Sequence, residues 1–374
     1  MKVLVVVLRG LQTAYLSPYG NRWIDTPNFD LLAEAGTLFD WHFADRPGQT
    51  ALHNPAWLSA LEAAQVPVRI LREGSHQPKP AGAPGQFFAD PEKTLKAARK
   101  LVRSGFEGLV WVEFALLLPP WQIASSFLDS VFPPPDEPTS AAAEPDAQAT
   151  PEEVSAAEEP ATDQETQGLE YLPEEELLEP ILNPSPGPID PQDDRLYLSL
   201  QSTFAAAVMQ ADALLAELLD GLADDVTLFV TSDEGLSLGE HGYVGLEGPL
   251  REPRVHLPLF VVGPGVAAGG RIASLSAASD LAPTIAARLG VSFPGRDLLG
   301  SDRPGSSSAP EAIELSTATE RGVRTAAWYL RVPADGQAEL YEKPADRLER
   351  LNLAQVHFAV VEELLTRFPS VRYC

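Results

Sequence analysis

Cysteine is almost missing: there is one, Cys374, the last of 374 residues. No intrachain disulfide can form, and nothing points to an oxidising compartment. Basic residues are scarce as well. The chain has 27 Lys and Arg against 53 Asp and Glu, a formal net charge of −26. That shortage argues against a nucleic-acid binder, which needs a basic face, and against electrostatic docking on an anionic membrane. The opening apolar run, Val3–Leu8, is also short, with Arg9 directly after it. A signal peptide uses roughly 7–15 apolar residues and a membrane span roughly 20. The run reads instead as a buried first strand. The expectation is a cytoplasmic protein with no signal peptide and no transmembrane segment.

The acidity is unevenly distributed. Between Pro133 and Asp194 lie 18 acidic residues, 13 prolines and no Lys or Arg, which leaves 35 acids against 27 bases elsewhere, a net of −8. Repeated proline and charge of one sign prevent a packed core, so residues 133–192 read as a disordered or extended insertion. The whole chain is 44% hydrophobic, enough for the remainder to bury a substantial core.

That remainder alternates strand and helix. Met1–Leu8 is a β-branched run of the kind buried on both faces of a parallel sheet. Thr26-Pro27 opens a helix in which Thr26 caps, Phe29, Leu32 and Ala33 form the apolar stripe, and Gly36 ends it. Thr37–Phe43 is a short strand, Pro55–Ala64 a helix, Val66–Leu71 a strand, Pro91–Arg103 an amphipathic helix and Gly108–Leu117 a strand. Beyond the insertion come a long helix (Asp194–Leu222), strands Val226–Thr231 and Leu259–Val262, and a helix, Asp280–Leu289. Short strands (Gly322–Val332, Glu339–Leu340) and a closing helix (Ala354–Phe368) finish the chain. The pattern implies an α/β fold with a doubly wound, mostly parallel sheet flanked by helices. The expected divisions are a core of residues 1–132 and 193–299, the insertion 133–192, a linker 300–310, and a C-terminal subdomain 311–374 with a small antiparallel sheet and helix.

Several motifs resemble the sulfatase family of the alkaline phosphatase superfamily. They are Tyr19-Gly20-Asn21 with the run Thr26–Phe39, then Leu228–Gly235 followed by Leu238-Gly239-Glu240-His241-Gly242. Val255–Gly265, Ser279–Gly290, Arg324–Val332 and Glu339–Ala354 continue the likeness in order along the chain. The resemblance implies an active site at the carboxyl ends of the strands, sulfuric ester hydrolysis, and a divalent cation, calcium in the family. Such a hard cation needs several oxygen ligands.

The residues that should carry this chemistry depart from the family pattern. Where the first strand should end in two metal-binding acids, this chain has Leu8-Arg9. The nucleophile motif falls on Thr50-Ala51-Leu52-His53-Asn54, and Cys374 cannot serve as a formylglycine source. The remaining metal pair corresponds to Asp233-Glu234. Leu118 and Leu246 replace a histidine and a lysine. The candidate site is therefore Thr50 and His241 for catalysis, with Asp233 and Glu234 for metal. Each also has a plain structural reading: a loop cap for Asp233, a turn hydroxyl for Thr50, a hydrogen-bonder in a glycine-flanked turn for His241. Arg9 should stand where a cation-binding carboxylate belongs, so its guanidinium is expected to pair with Asp233 or Glu234.

Three functions follow as expectations. The first is a sulfatase-fold protein without hydrolytic activity that acts as a binding or scaffold protein, with no cofactor. The alternative is an active metal-dependent sulfo- or phosphoesterase using Thr50, Asp233, Glu234 and His241. The third makes the acidic insertion the functional part, engaging a basic protein partner. No nucleic acid and no membrane is expected as a partner, and the small-molecule substrate is left open.

Overall fold

The structure, a computed structural model, describes residues 1–74, 85–132, 178–300 and 309–372. In its first half it forms β1 (Lys2–Leu8), α1 (Pro27–Ala35), β2 (Thr37–Phe43), α2 (Pro55–Ala63), β3 (Val68–Glu73), β4 (Gln86–Phe88), α3 (Pro91–Arg103), β5 (Gly108–Phe114) and α4 (Ser125–Val131). The middle adds β6 (Gly187–Pro188), α5 (Asp194–Leu219), β7 (Val226–Thr231), β8 (Ser237–Leu238) and β9 (Tyr243–Gly245). It continues with α6 (Glu252–Val255), β10 (His256–Leu257), β11 (Leu259–Val262), β12 (Gly270–Ala277) and α7 (Leu281–Arg288). The C-terminal part contains β13 (Ala312–Ser316), β14 (Arg321–Thr325), β15 (Trp328–Val332), β16 (Glu339–Glu342) and α8 (Phe358–Arg367).

A nine-stranded sheet runs β10-β2-β11-β7-β1-β5-β3-β4, with β12 alongside β2. Its centre is parallel, β7-β1-β5-β3, and β11 runs antiparallel between β7 and β2. The alternation of side chains along a strand divides β1 between two cores. Leu4, Val6 and Leu8 pack with Phe29, Leu95, Phe204 and Val208 of α1, α3 and α5. Val3, Val5 and Val7 pack with Trp57, Leu61 and Ile285 of α2 and α7. Helices therefore cover both faces, as an apolar, two-sided strand demands. A separate antiparallel sheet, β13-β14-β15-β16, forms the C-terminal subdomain. The expected architecture is what the chain adopts.

Helix α5 is long and apolar enough to cross a membrane by length and composition. Here it is a core helix, with Phe204, Val208, Ala211, Leu215 and Leu218 buried against the sheet.

Some expectations need correction. Thr26 does not cap α1; its hydroxyl accepts from Ser17 N–H at 3.0 Å instead. The free amides of the first turn go to Asp212 of α5, whose carboxylate accepts from Asn28 N–H at 3.1 Å and Phe29 N–H at 3.0 Å. A carboxylate there also suits the positive end of the helix dipole. Strand β12 pairs in parallel with β2 although the sequence reading leaves Gly270–Ala277 unassigned. It is half-exposed along its first five residues, so its sequence, GRIASLSA, shows no run of apolar residues. The closing helix starts at Phe358, not Ala354, because Val356 and His357 N–H both turn back onto Leu353 O.

Residues 133–177 of the expected insertion and 301–308 of the expected linker lie outside the described residues, as does Cys374. The rest of the insertion is folded onto the core, against expectation. Trp121 N–H donates to Leu182 O at 2.7 Å, Ile181 N–H to Thr203 Oγ1 at 2.9 Å, and Ile189 N–H to Gly242 O at 2.8 Å. β6 then adds to β9. Prolines limit the chain to extended backbone here, and extended backbone can still satisfy its donors on a neighbouring surface.

The Asp212 contact ties α5 to α1 and generates a test. Asp212→Ala removes the shared carboxylate and should lower stability by about 2 kcal/mol in urea denaturation. A loss below about 0.5 kcal/mol, the level of an ordinary surface change, would show that the cap contributes nothing.

Candidate functional site: an arginine-filled strand-end cleft

The carboxyl ends of β1, β3, β5 and β7 meet at one edge of the sheet, and each delivers a charged residue there. β1 leads into Arg9, whose N–H donates to Phe114 O at the end of β5. β7 leads through Thr231 and Ser232 into Asp233 and Glu234. The two turns are joined because Gly10 N–H donates to Glu234 O and Leu236 N–H donates to Gly10 O, each at 3.0 Å. Gly10 adopts φ 89°, and a Cβ there would lie 2.8 Å from the Leu118 side chain. The position where the family carries a histidine is thus an apolar leucine packed on a glycine turn.

Asp233 and Glu234 are buried, at 3% and 6% exposure. A buried carboxylate requires a partner, and each has an arginine. Arg9 Nε lies 2.7 Å from Asp233 Oδ2, as the sequence reading expects. Arg254 Nε and Nη2 both lie 3.0 Å from Glu234 Oε2. A third pair adjoins them: Arg72 Nε of β3 stands 2.9 Å from Glu113 Oε2 of β5, whose other oxygen accepts from Trp111 Nε1–H at 2.9 Å. The pairs share one field, since Arg9 also interacts with Glu113 and Glu234, and Glu113 with Asp233. Burial, reinforced by the Asp233 charge, pushes Glu234 up to about 7 against the pull of Arg254. Burial likewise raises Glu113, opposed by Arg72.

This donor set does not fit the divalent cation that the resemblance implies. Calcium takes six to eight oxygen ligands; here Asp233 Oδ2 is taken by the Arg9 guanidinium and its Oδ1 by Glu234 N–H. Glu234 Oε2 is held by a second guanidinium, and its Oε1 crowds Gly48, where a Cβ would lie 2.7 Å away. Among the described residues, no group of three or more His, Cys, Asp or Glu is arranged to hold a metal ion. A cation entering this cleft would have to displace a fixed positive charge.

The catalytic candidates are only partly brought together. Thr50 precedes a 3-10 turn, Ala51–His53, and its N–H donates to His53 Nδ1 at 3.0 Å. That bond makes Nδ1 the acceptor nitrogen, and the Thr50 hydroxyl lies 3.3 Å from it. Thr50 and His53 line a cleft of about 450 Å³ with Asp45, Arg46, Gln49 and Ser279. His53 interacts electrostatically with Arg72, Asp233 and Arg9, so Thr50 borders the arginine-filled site. His241 does not join it. It sits exposed in a turn at φ 58°, and its charged neighbours are Arg251 at the start of α6 and Arg331, Glu339 and Arg350 of the C-terminal subdomain. No hydrogen bond or ion pair among the described residues links it to Thr50, Asp233 or Glu234.

Four participants escape the sequence reading: Arg72, Glu113, Arg254 and His53. Two carried a signal. Glu113 interrupts an otherwise apolar strand and Arg72 is the last residue but one of another, and a charge inside a buried strand implies a partner. Arg254 had none, because its role depends on which loops meet; His53 was read only as part of the Thr50–Asn54 segment, although its bond to Thr50 is local.

The Arg9–Asp233 pair is directly testable. Arg9→Ala leaves Asp233 buried without its cation and should cost about 2–3 kcal/mol in urea denaturation, whereas adding Asp233→Asn should recover part of that loss. Equal stability of wild type and Arg9→Ala would mean that Asp233 is neutralised in another way.

A family model described as Sulfatase matches residues 134–291. Comparison with curated protein sequences gives no match. Solved structures resemble the chain over nearly its whole length. BT4656, in complex with its substrate D-glucosamine-2-N,6-O-disulfate, aligns with TM-score 0.67 at 16% identity, covering 99% of this chain and 98% of that one. BT1596, a 2-O GAG sulfatase, gives 0.64 at 14% identity over 98% and 92%. The phosphonate monoester hydrolase of Agrobacterium radiobacter gives 0.65 at 15% identity over 98% and 95%. The chain shares the fold of these structures over nearly its whole length, and part of it resembles the Sulfatase family.

Proposed function

We propose that this protein is a sulfatase-fold binding or scaffold protein that has given up metal-dependent ester hydrolysis. The carrying observation is the Arg9–Asp233 ion pair at 2.7 Å. It occupies the place where the resemblance expects a cation between carboxylates. Hydrolysis of a sulfate or phosphate ester needs positive charge free to meet the transferring group. Here the guanidiniums of Arg9, Arg72 and Arg254 are each committed to a carboxylate. Leu118 and Leu246, in place of a histidine and a lysine, supply no donor to a substrate anion.

A second reading has one observation in its favour, the Thr50 hydroxyl 3.3 Å from His53 Nδ1 on the wall of an open cleft. A threonine next to an imidazole acceptor can be activated as a nucleophile, provided that His53 Nδ1 is released from the Thr50 N–H it accepts in this structure. This reading makes the protein an esterase with an altered site. A partner for the acidic segment, if that segment binds one, would be basic, by charge alone.

Elemental analysis of purified protein beside an ester-hydrolysis screen separates the readings. The binding reading expects calcium, magnesium, manganese and zinc all far below one equivalent, and no turnover of aryl sulfates or phosphates. Stoichiometric metal together with a turnover abolished by Thr50→Ala would remove it and establish the second.

A further inference from the structure

Helix α6 is only four residues long, yet it faces two different places at once. Toward the cleft, Arg254 holds Glu234, and Arg254 O accepts from Gly235 N–H at 2.9 Å. The fit is close enough that a Cβ on Gly235 would fall 1.9 Å from Pro253 O. Residues 233–236 and α6 are therefore one packed unit, and the first of them form the turn that carries Asp233 and Glu234.

On its other side, α6 is gripped by the C-terminal subdomain. Lys343 Nζ, just after β16, stands 2.9 Å from Glu252 Oε2 and 3.1 Å from Glu349 Oε1. Glu349 Oε1 also accepts from Glu252 N–H at 3.2 Å. Side-chain exposure is 1% for Lys343, 0% for Glu349 and 9% for Glu252. Glu349 itself is held at φ 53°, a left-handed conformation unfavourable for a non-glycine residue. Arg251, at the start of α6, reaches Glu339 Oε2 at 2.9 Å and lies over the Tyr341 ring. Glu252 Oε1 is 3.1 Å from His256 Nδ1. A buried ionic cluster of this kind contributes little net stability compared with apolar packing, but it fixes position, because breaking it leaves uncompensated charge.

We propose that Lys343 and Glu349 of the C-terminal subdomain are positioning residues for the strand-end cleft, acting through α6 to hold Arg254 on Glu234 and the 233–236 turn in place. On this view the subdomain is part of the scaffold of the site. The inference does not depend on what the cleft binds or whether it is catalytic.

Amide hydrogen exchange and arginine side-chain NMR on the full chain test it. Glu349→Gln keeps the shape and removes the charge. It should raise exchange at Gly235 and Leu236 about tenfold or more and abolish the protected Arg254 Nε–H resonance, while the amides of Val6 and Val112 in the central strands stay as in wild type. Lys343→Gln should do the same, and it decides the matter if Glu349→Gln does not fold. Leu364→Ala, which loosens the core of the same subdomain without touching α6, should leave Gly235 and the Arg254 resonance unchanged. Unchanged exchange at Gly235 and Leu236 in the folded charge variant would overturn the proposal, and so would an equal effect of Leu364→Ala.

Discussion

The charge of Asp233 at the end of a central strand is the constraint around which the site is organised. Parallel strands end with their last side chains directed into a shared crevice, and the core beneath it is apolar. A carboxylate in that position must be neutralised. A divalent cation would do so by gathering oxygens from several loops at once. A guanidinium instead makes a planar, directional pair with one partner. With Arg9 on Asp233, Glu234 needs a cation of its own, found in Arg254, and Glu113 needs another, found in Arg72. Three separate ion pairs stand where one shared ion would otherwise have drawn the strand ends together.

This arrangement shifts structural responsibility outward. Arg254 arrives on a short helix with no long stem to fix it, so it is positioned by what lies behind it. The buried cluster of Glu252, Lys343 and Glu349 supplies that backing, and Gly235 permits the close approach of α6 that the grip requires. The C-terminal sheet contributes to the cleft through α6, and it also brings Arg331 and Glu339 toward the turn of His241. Thr50 and His53 border the cleft from a different loop, capped independently by their own 3-10 turn.

Much of the fold was legible along the chain. The β-branched run of β1, the exact bounds of β7 and β11, and the amphipathic period of α3 follow from side-chain spacing, because burial acts on each strand and helix through its own pattern. Elements of mixed polarity were not legible. β12 lies half in solvent, and residues 178–192 look too proline-rich and acidic to fold, yet they hydrogen-bond onto α5 and the 242 turn. For the site, the motif register placed Arg9 across the cleft from the Asp233-Glu234 pair, and the structure gives it Asp233. The register also grouped His241 with them, and that failed because the glycine-rich turn swings the residue toward the C-terminal sheet.

The sequence by itself determined that a two-sided parallel sheet would form, that its strand ends would carry Asp233 and Glu234, and that Arg9 would replace an acid there. The sheet is a consequence of local composition and order; the placing of Asp233, Glu234 and Arg9 rests on the resemblance to the sulfatase family. Only the tertiary structure decided which cation meets which carboxylate. Pairing Arg254 with Glu234 depends on α6 and a loop distant from it in sequence arriving within 3.0 Å, and pairing Arg72 with Glu113 on the register of β3 against β5; charge complementarity alone permits many other matches. What selects among them is packing: a glycine at 235, a leucine on Gly10, and a subdomain that holds α6 from behind.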